Sequence, residues 1–426
     1  MKASKRMVTR LFHTPKSTMK QTLICKSMLI MPAILFSVNA GAHCTQVPSV
    51  DMPGAIDTIA PPPMAAPRIA EIINIIDGNS IPDSCSYDAE VNGIYYNLNE
   101  TTLTASVTRT PKSAPGYSGA VSIPSSISRK GQTYTVTVIE ENAFRGCEDV
   151  TSIAMPGTID SIAATAFRKC SGLKELNLPA SLRVIEEYAF DGCDGLTQID
   201  IPASVEYIKP RAFTECVQLQ NINVSEDNPH YCSAEGILIE KVSRELLLCP
   251  RGKEGEVTIP EMVNSIGEDA FADCSRITGV RIPNNVIWIG NHAFEGCTEL
   301  QSLNLPSGLK YIGYYAFSKC SHITSVHIPA SLNELQPNAF SECIGLKEIT
   351  VSPRNKEYSS IDGIVFNKGQ YVLEIYPGGK DAPLYVIPSF VTSICIEAFC
   401  CNPYISEVTI PNSVSNISFD TFCYCI

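Results

Sequence analysis

The sequence lacks the features that usually identify an enzyme or a membrane-spanning protein. It has 426 residues, one Trp and only six His, and no His lies in an H-E-x-x-H motif. Nucleophile-elbow, Walker and dinucleotide-binding motifs are missing too. No apolar run reaches the roughly 20 residues that a transmembrane helix needs. These absences favour a binding protein over an enzyme, and we expect no cofactor and no metal site.

Basic residues are also scarce outside the N-terminal segment. Seven of the 32 Lys and Arg residues, and none of the 44 acidic ones, lie in residues 1–42. Without that segment the chain has 25 basic and 44 acidic residues, which is a net charge of −19. Such a charge disfavours nucleic acid and anionic lipid surfaces as partners.

The N-terminal residues have the pattern of a secretory signal peptide. A basic lead precedes the mostly apolar run 28–38, and Ala40-Gly41-Ala42 offers a cleavage site with small residues. The spacing predicts a signal peptide over 1–42, and translation from Met19 would give one of ordinary length. His43 before Cys44 matches a lipid-anchoring motif poorly. We therefore expect export, to the medium, the cell surface or the periplasm.

Two further segments precede the repetitive part of the chain. Residues 43–85 are rich in Pro and predict a linker. Residues 86–137 are β-like and predict an N-terminal cap, with strands at 91–98, 103–108 and 120–123. A cap is needed because the first repeat would otherwise expose an apolar face and open strand edges.

The rest of the chain, 138–426, repeats the motif Ala-Phe-x-x-Cys at intervals of 23 residues. Apolar residues recur six, nine and eleven positions after the Phe, and a Pro usually follows and ends a short strand. A fixed period of this length is typical of a solenoid, in which stacked coils bury what one coil cannot. Each repeat predicts a strand, a turn, a second arc and a helical or 3₁₀ turn. The motif's Phe residues are Phe144, Phe167, Phe190, Phe213, Phe271, Phe294, Phe317 and Phe340, with Phe399 and Phe422 in shorter or altered copies.

The repeats resemble the BspA-like leucine-rich repeat proteins. The segment 173–193, LKELNLPASLRVIEEYAFDGC, fits the pattern L-x-x-I-x-I-P-x-S-V-x-x-I-x-x-x-A-F-x-x-C closely. The resemblance implies an α/β-type solenoid with short strands, short helical arcs and a β-rich N-terminal cap. It also implies a secreted or cell-surface protein that adheres to host extracellular-matrix protein, cells or glycan. An envelope scaffold that organises other bacterial proteins is the alternative.

Two longer gaps and the end of the chain depart from the period. The segments 225–255 and 352–383 match each other, and each predicts a β-hairpin that projects from the stack in place of the Ala-Phe arc. The sequence stops directly after the last arc, at Ile426. Either self-association closes the final coil or the gene product is short.

Of the 18 Cys residues, 15 lie in the repetitive part of the chain, and these 15 divide into two groups. Nine occupy the same repeat position, where neighbouring side chains lie about 4.8 Å apart in parallel, too far for disulfides and suited to buried thiols. They are Cys147, Cys170, Cys193, Cys216, Cys274, Cys297, Cys320, Cys343 and Cys425, and Asn402 takes this position once. Six others are out of register: Cys232, Cys249, Cys395, Cys400, Cys401 and Cys423. Near the end, Cys400, Cys401, Cys423 and Cys425 leave three alternatives, which are a disulfide between coils, a zinc site in an unfamiliar spacing, and plain thiols.

Aromatic residues five positions after the repeat Pro form the candidate binding site for a protein or glycan ligand. They are Tyr207, Trp288 and Tyr311, and Tyr314 and Tyr315 follow closely. Trp288 and Tyr311 are one period apart and are expected to stack. Aromatic residues dominate the energetics of interfaces. The alternative is that these rings only shield a neighbouring turn.

Overall fold

The computed structural model describes residues 22–24, 86–415, 417 and 420–425. The predicted linker 43–85, with Cys44, lies outside the described residues, and so does the predicted signal peptide apart from Thr22–Ile24. That short strand pairs antiparallel with Glu407–Thr409. Within the described residues, no helix is long and apolar enough to cross a membrane.

The repeats form a β-solenoid whose coils pair in register. In a typical pair, Gln198–Ile201 runs parallel to Asn221–Val224, and each residue pairs with the one 23 positions later. Alternate residues of these first-arc strands point inward and are buried, as the spacing of nine and eleven predicts. The first-arc strands are Gly119–Ser122, Val150–Ala154, Glu175–Asn177, Gln198–Ile201, Asn221–Val224, Gly255–Thr258, Ile277–Arg281, Ser302–Leu303, Ser325–Ile328, Glu348–Val351, Leu384–Val386 and Glu407–Thr409.

A second side of each coil carries very short second-arc strands, also parallel and in register. They are Ser161–Ile162, Val184–Ile185, Tyr207–Ile208, Ser265–Ile266, Trp288–Ile289, Tyr311–Ile312, Glu334–Leu335 and Ser393–Ile394. Their second residue is an Ile or Leu that is buried or nearly so. The repeat Pro separates the two arcs because it cannot donate a ladder hydrogen bond.

The predicted helical arcs are wrong, because the Ala-Phe segments are turns and no helix occurs in the described residues. The N–H of Phe167 donates to the carbonyl of Ala189 in the next coil, at 2.8 Å. A helix would need that donor for a carbonyl four residues earlier. Two residues before the Phe, Thr165 has a φ of 55°, outside the helical region. The fold is therefore a β-solenoid.

The core contains a stack of phenylalanine rings, here called the phenylalanine column. Successive rings from Phe144 to Phe213 have centroids 5.1 to 5.3 Å apart, and those from Phe294 to Phe340 pack at similar distances. Most of these side chains are fully buried. Burying one such side chain stabilises a fold by about 1.5 to 3 kcal/mol. The column thus joins successive regular coils.

The N-terminal cap ends the column with a tyrosine. The ring of Tyr117 packs on Phe144, with centroids 4.6 Å apart, and its hydroxyl donates to the carbonyl of Thr108 at 2.7 Å. The cap strands are Ala89–Val91, Ile94–Asn99, Thr104–Thr108, Ser126–Arg129 and Gln132–Ile139. The last of these continues into the first repeat and pairs with Ser161–Ile162.

The strand predicted over 91–98 is confirmed from Ile94 onward, but a tight turn separates that part from Val91. Asn92 and Gly93 both have positive φ, 53° and 76°, and Val91 pairs with Ile94. Asn-Gly is the sequence that a two-residue hairpin turn of this kind prefers, since both of its positions need the left-handed region. The segment is therefore a hairpin.

The two long gaps hold three-stranded units, here called the insertion coils. The first has the strands Tyr231–Ala234, Ile237–Glu240 and Glu245–Leu248, and the second has Tyr358–Ile361, Ile364–Asn367 and Val372–Ile375. The third strand of each runs parallel to the next second-arc strand. The expectation that these units project is wrong, because their middle strands are buried in the stack.

Seven of the nine cysteines at the repeat position are buried, as the spacing predicted, while Cys147 and Cys425 at the two ends are partly exposed. Cys170, for example, donates its thiol hydrogen to the carbonyl of Phe144 in the preceding coil, with 3.0 Å between sulfur and oxygen. The same contact recurs down the stack, with distances from 2.9 to 3.2 Å. No disulfide joins two Cys residues within the described part of the chain.

Candidate functional site

Trp288 and Tyr311 form a stacked pair on the second-arc side of the solenoid. They are register partners in adjacent parallel strands, and their ring centroids lie 3.6 Å apart with an angle of 9° between the ring planes. Tyr311 is 9% exposed, whereas Trp288 is partly exposed. The pair exists because both residues stand five positions after a repeat Pro, so the period places them on one face of neighbouring coils.

The residues on the flanking coils at the same register position are polar. Ser265 pairs with Trp288 on one side, and Glu334 pairs with Tyr311 on the other. Ser265, the register partner of Trp288 on the side away from Tyr311, has a side chain too short to cover an indole ring. The pair therefore presents an aromatic surface toward the coil of Ser265.

Hydrogen-bonding groups surround this aromatic pair. The side-chain amide of Gln336 donates to Glu334 at 2.8 Å. Burial raises the pKa of Tyr311, and a hydrogen bond with Gln336 partly offsets that rise. The hydroxyl of Ser265 donates to the amide oxygen of Asn264 at 3.3 Å.

A carboxylate lies on the same side, one coil beyond Ser265. Glu245 begins the third strand of the first insertion coil and is the register partner of Ser265. Burial raises the pKa of Glu245, and the charge of nearby Glu240 raises it further. The sequence Glu245, Ser265, Trp288, Tyr311, Glu334 thus runs along five coils, and we call it the aromatic row. Glu245 and Glu334 are not aromatic, so the sequence pattern does not identify them as members of this row.

The other three predicted residues differ in how close they lie to the stacked pair. Tyr207 is 58% exposed, but it belongs to another sheet, on the far side of the first insertion coil. Tyr314 is exposed, and its charge raises the pKa of Tyr311.

Tyr315 belongs to a different side of the coil. Its ring stacks on His292 with centroids 5.3 Å apart, and its hydroxyl donates to the carboxylate of Glu397 at 3.0 Å. Burial raises the pKa of Tyr315 to about 12, and the hydrogen bond to Glu397 makes a smaller contribution in the same direction. The structure therefore brings together Trp288 and Tyr311, with Tyr314 near them, and uses Tyr315 to link coils.

A second group of reactive side chains lies near the C-terminal end of the described residues. The sulfur of Cys400 is 2.8 Å from that of Cys423 and 3.2 Å from that of Cys401. We call these three residues the thiol cluster. Among the described residues, no group of three or more His, Cys, Asp or Glu side chains has an arrangement that could hold a metal ion.

Comparison with known proteins places the sequence beside bacterial leucine-rich repeat proteins. The family described as "BspA type Leucine rich repeat region" matches in six copies, over residues 133–233, 253–371 and 384–426, which is more than half of the chain. No protein of curated function matches.

Solved structures with a similar fold share little sequence with the chain. A leucine-rich repeat protein from Bacteroides ovatus is 22% identical, over 80% of this chain and 93% of that one, with a TM-score of 0.48. The pneumococcal vaccine antigen PcpA is 18% identical, over 77% and 98%, with a TM-score of 0.49. A leucine-rich cell surface protein from Faecalibacterium prausnitzii is 21% identical, over 79% and 97%, with a TM-score of 0.37.

Proposed function

Because the chain belongs to the BspA-type leucine-rich repeat family, we propose that it is a non-enzymatic binding protein of the bacterial cell surface. It holds a host protein or a glycan on the aromatic row. The single observation that carries this proposal is the stacked pair of Trp288 and Tyr311, whose indole has the short side chain of Ser265 as its register neighbour on the other side.

The physical argument rests on what a partly exposed indole does in water. The core positions of the repeat use Leu, Ile, Val and Phe, so the only Trp of the chain is not needed to fill the core. An aromatic ring held flat by a second ring loses little conformational entropy when a ligand covers it. Such residues are the usual centres of binding energy in interfaces.

The polar neighbours make the surface suitable for a ligand with hydrogen-bonding or positive groups. Glu334 and Gln336 lie beyond Tyr311, and Glu245 lies beyond Ser265. A sugar ring can stack on the indole and bond to these groups. The same carboxylates attract basic side chains of a protein, consistent with the acidic balance of the chain.

The test compares Trp288→Ala with a matched exposed aromatic residue. Residues 43–426 are applied to an array of glycans and to immobilised extracellular-matrix proteins, and the dissociation constant is measured for each ligand found. We expect Trp288→Ala to weaken binding at least about tenfold, which is about 1.4 kcal/mol. Tyr207→Ala, at the same repeat position on another sheet, serves as the control and is expected to bind as the parent does.

Thermal unfolding of both variants shows whether the fold is intact. Unchanged binding by Trp288→Ala, or an equal loss in both variants, contradicts the proposed site. Labelling of intact cells with a membrane-impermeant reagent tests the location. A protein that stays unlabelled contradicts the surface role and supports the alternative of an internal envelope scaffold.

A further inference from the structure

We propose that the thiol cluster is a site of disulfide formation, in which Cys400 and Cys423 form a bond between adjacent coils and Cys401 relays the reaction. The site is separate from the aromatic row, and its chemistry does not depend on the binding proposal. The reagent that it needs is a small-molecule disulfide, RSSR. The inference rests on the sulfur of Cys400, which contacts the sulfurs of both Cys401 and Cys423.

Cys400 and Cys423 occupy the same repeat position in adjacent coils, and unlike the regular thiols their sulfurs contact each other. Cys400 and Cys423 each follow a column phenylalanine directly, and the rings of Phe399 and Phe422 stack with centroids 4.9 Å apart. The N–H of Cys401 donates to the carbonyl of Cys423 at 2.9 Å and fixes the register of the two coils. The Cys423 and Cys400 sulfurs are 2.8 Å apart, closer than unbonded sulfur atoms normally approach.

The regular cysteines of the stack provide an internal comparison. Cys320, in the usual position three residues after the Phe, donates to the carbonyl of Phe294 at 3.2 Å and is fully buried. Burial raises its pKa well above the ordinary value. Each regular thiol of this kind contacts a backbone oxygen, whereas the cluster thiols contact one another. Oxidation is therefore expected at the cluster and not along the stack.

Access disfavours Cys400 as the first thiol to react, and ionisation favours Cys401 over Cys423, whose pKa is raised by burial. Cys400 is 8% exposed, whereas Cys401 and Cys423 are partly exposed. A hydrogen bond from Cys400 lowers the pKa of Cys401, and the same pairing raises the pKa of Cys400. The thiolate is the nucleophile in disulfide exchange.

The reaction balances as three exchanges. The Cys401 thiolate attacks RSSR, forms a mixed disulfide and releases RS⁻. Cys400, giving its proton to RS⁻, attacks the Cys401 sulfur and releases the second RS⁻. Cys423 then attacks the Cys400 sulfur, gives its proton to that second RS⁻ and displaces the Cys401 thiolate. In sum, Cys400 and Cys423 lose two protons and two electrons, and RSSR becomes two RSH.

The experiment treats the reduced, folded protein with oxidised glutathione at neutral pH. Samples are quenched with an alkylating reagent, and peptides are mapped by mass spectrometry without reduction. We expect a cross-linked peptide that joins Cys400 to Cys423, while Cys320 and its equivalents become alkylated only after denaturation. Separate glutathione adducts on Cys400 and Cys423, or thiols that stay reduced while Cys232 reacts, overturn the proposal.

Three variants separate the roles. Cys423→Ser is expected to abolish the cross-link, and Cys401→Ser is expected to slow its formation at least about tenfold without changing the product. Cys232→Ser, a partly exposed thiol outside the cluster, is the matched control and leaves the rate unchanged. An unchanged rate in Cys401→Ser overturns the relay. A stable Cys400–Cys401 product in the parent protein overturns the bond between coils, whatever the variants do.

Discussion

The two insertion coils attach their inserted strands to the stack with partly different residues. Each begins with a buried Asn, at 228 or 355, whose side chain bonds four backbone groups. Each then has a Tyr, at 231 or 358, whose hydroxyl accepts a hydrogen bond from the preceding second-arc strand, at 3.0 Å or 2.9 Å. These contacts attach the inserted strands to the coil before them.

The residue that takes the place of the column phenylalanine differs between the two coils. The N–H of Cys249 donates to Ala270 in the first, and the N–H of Tyr376 donates to Ala398 in the second. These are the bonds that a column phenylalanine makes in a regular coil. Tyr376 continues the ring stack, with its centroid 4.8 Å from that of Phe399, whereas Cys249 interrupts it.

The flanking coils also contact each other differently across the two insertions. Arg211, before the first, donates to the carboxylate of Asp269, after it, at 2.7 Å. Across the second, the carboxylate of Glu397 instead accepts from Ser341 and Tyr315, each at 3.0 Å. The comparison indicates that the backbone register between coils is required, while the side chains that fill the column and bridge the flanks are exchangeable.

The largest expected effect comes from the feature that the two coils share. Asn355→Ala leaves the carbonyl of Leu332 and two N–H groups without their partner, and each costs about 1 to 3 kcal/mol. We expect the free energy of unfolding to fall by about 3 to 5 kcal/mol, and by a similar amount for Asn228→Ala. Urea denaturation followed by circular dichroism measures both.

Asn333→Ala, at an exposed asparagine of a regular coil, is the matched control, with an expected change below about 0.5 kcal/mol. If Asn228→Ala and Asn355→Ala differ by more than about 2 kcal/mol, or if either behaves like the control, then the two insertions are not attached in the same way.

A smaller effect of opposite sign is expected where the two coils differ. The hydroxyl of Tyr376 is buried and has no hydrogen-bond partner within the described part of the chain. Tyr376→Phe removes it, and we expect a gain in stability of about 1 kcal/mol. Tyr358→Phe removes the acceptor for the N–H of Leu335, so a loss of about 1 kcal/mol is expected. Thermal unfolding of both variants measures the two changes in stability. Changes of equal sign would contradict the hydrogen bonding that we assign to the two hydroxyls.

Much of the stack follows from local sequence, since every repeat has apolar residues at the same positions. The period locates Phe167, Ile185 and Cys170 in the core, and the structure buries all three. Tyr117 could not be found this way because it lies before the first repeat and fills the column from outside the pattern. Cys249 was missed for a similar reason, as the insertion breaks the spacing that would identify its position.

Where the predictions from sequence are wrong, the backbone conformation differs more than the burial of the side chains. An apolar pair such as Ala166-Phe167 has the same hydrophobicity in a helix and in a turn, and the choice depends on which carbonyl accepts the N–H of Phe167. That acceptor lies in another coil, so local sequence does not specify it. At the candidate site, the period predicted the Trp288–Tyr311 stack, but the acidic ends of the aromatic row depend on how an insertion coil is folded.

Native-state hydrogen exchange tests most directly the central claim that both insertion coils continue the stack, which also places Glu245 in the aromatic row. The amides of Cys249 and Tyr376 are compared with that of Phe294, which donates to Ala316 in a regular coil. We expect opening free energies within about 1.4 kcal/mol of one another, hence rates within about tenfold after correction for intrinsic exchange. Exchange of Cys249 and Tyr376 that is faster by several orders of magnitude, as in a projecting hairpin, would contradict the account.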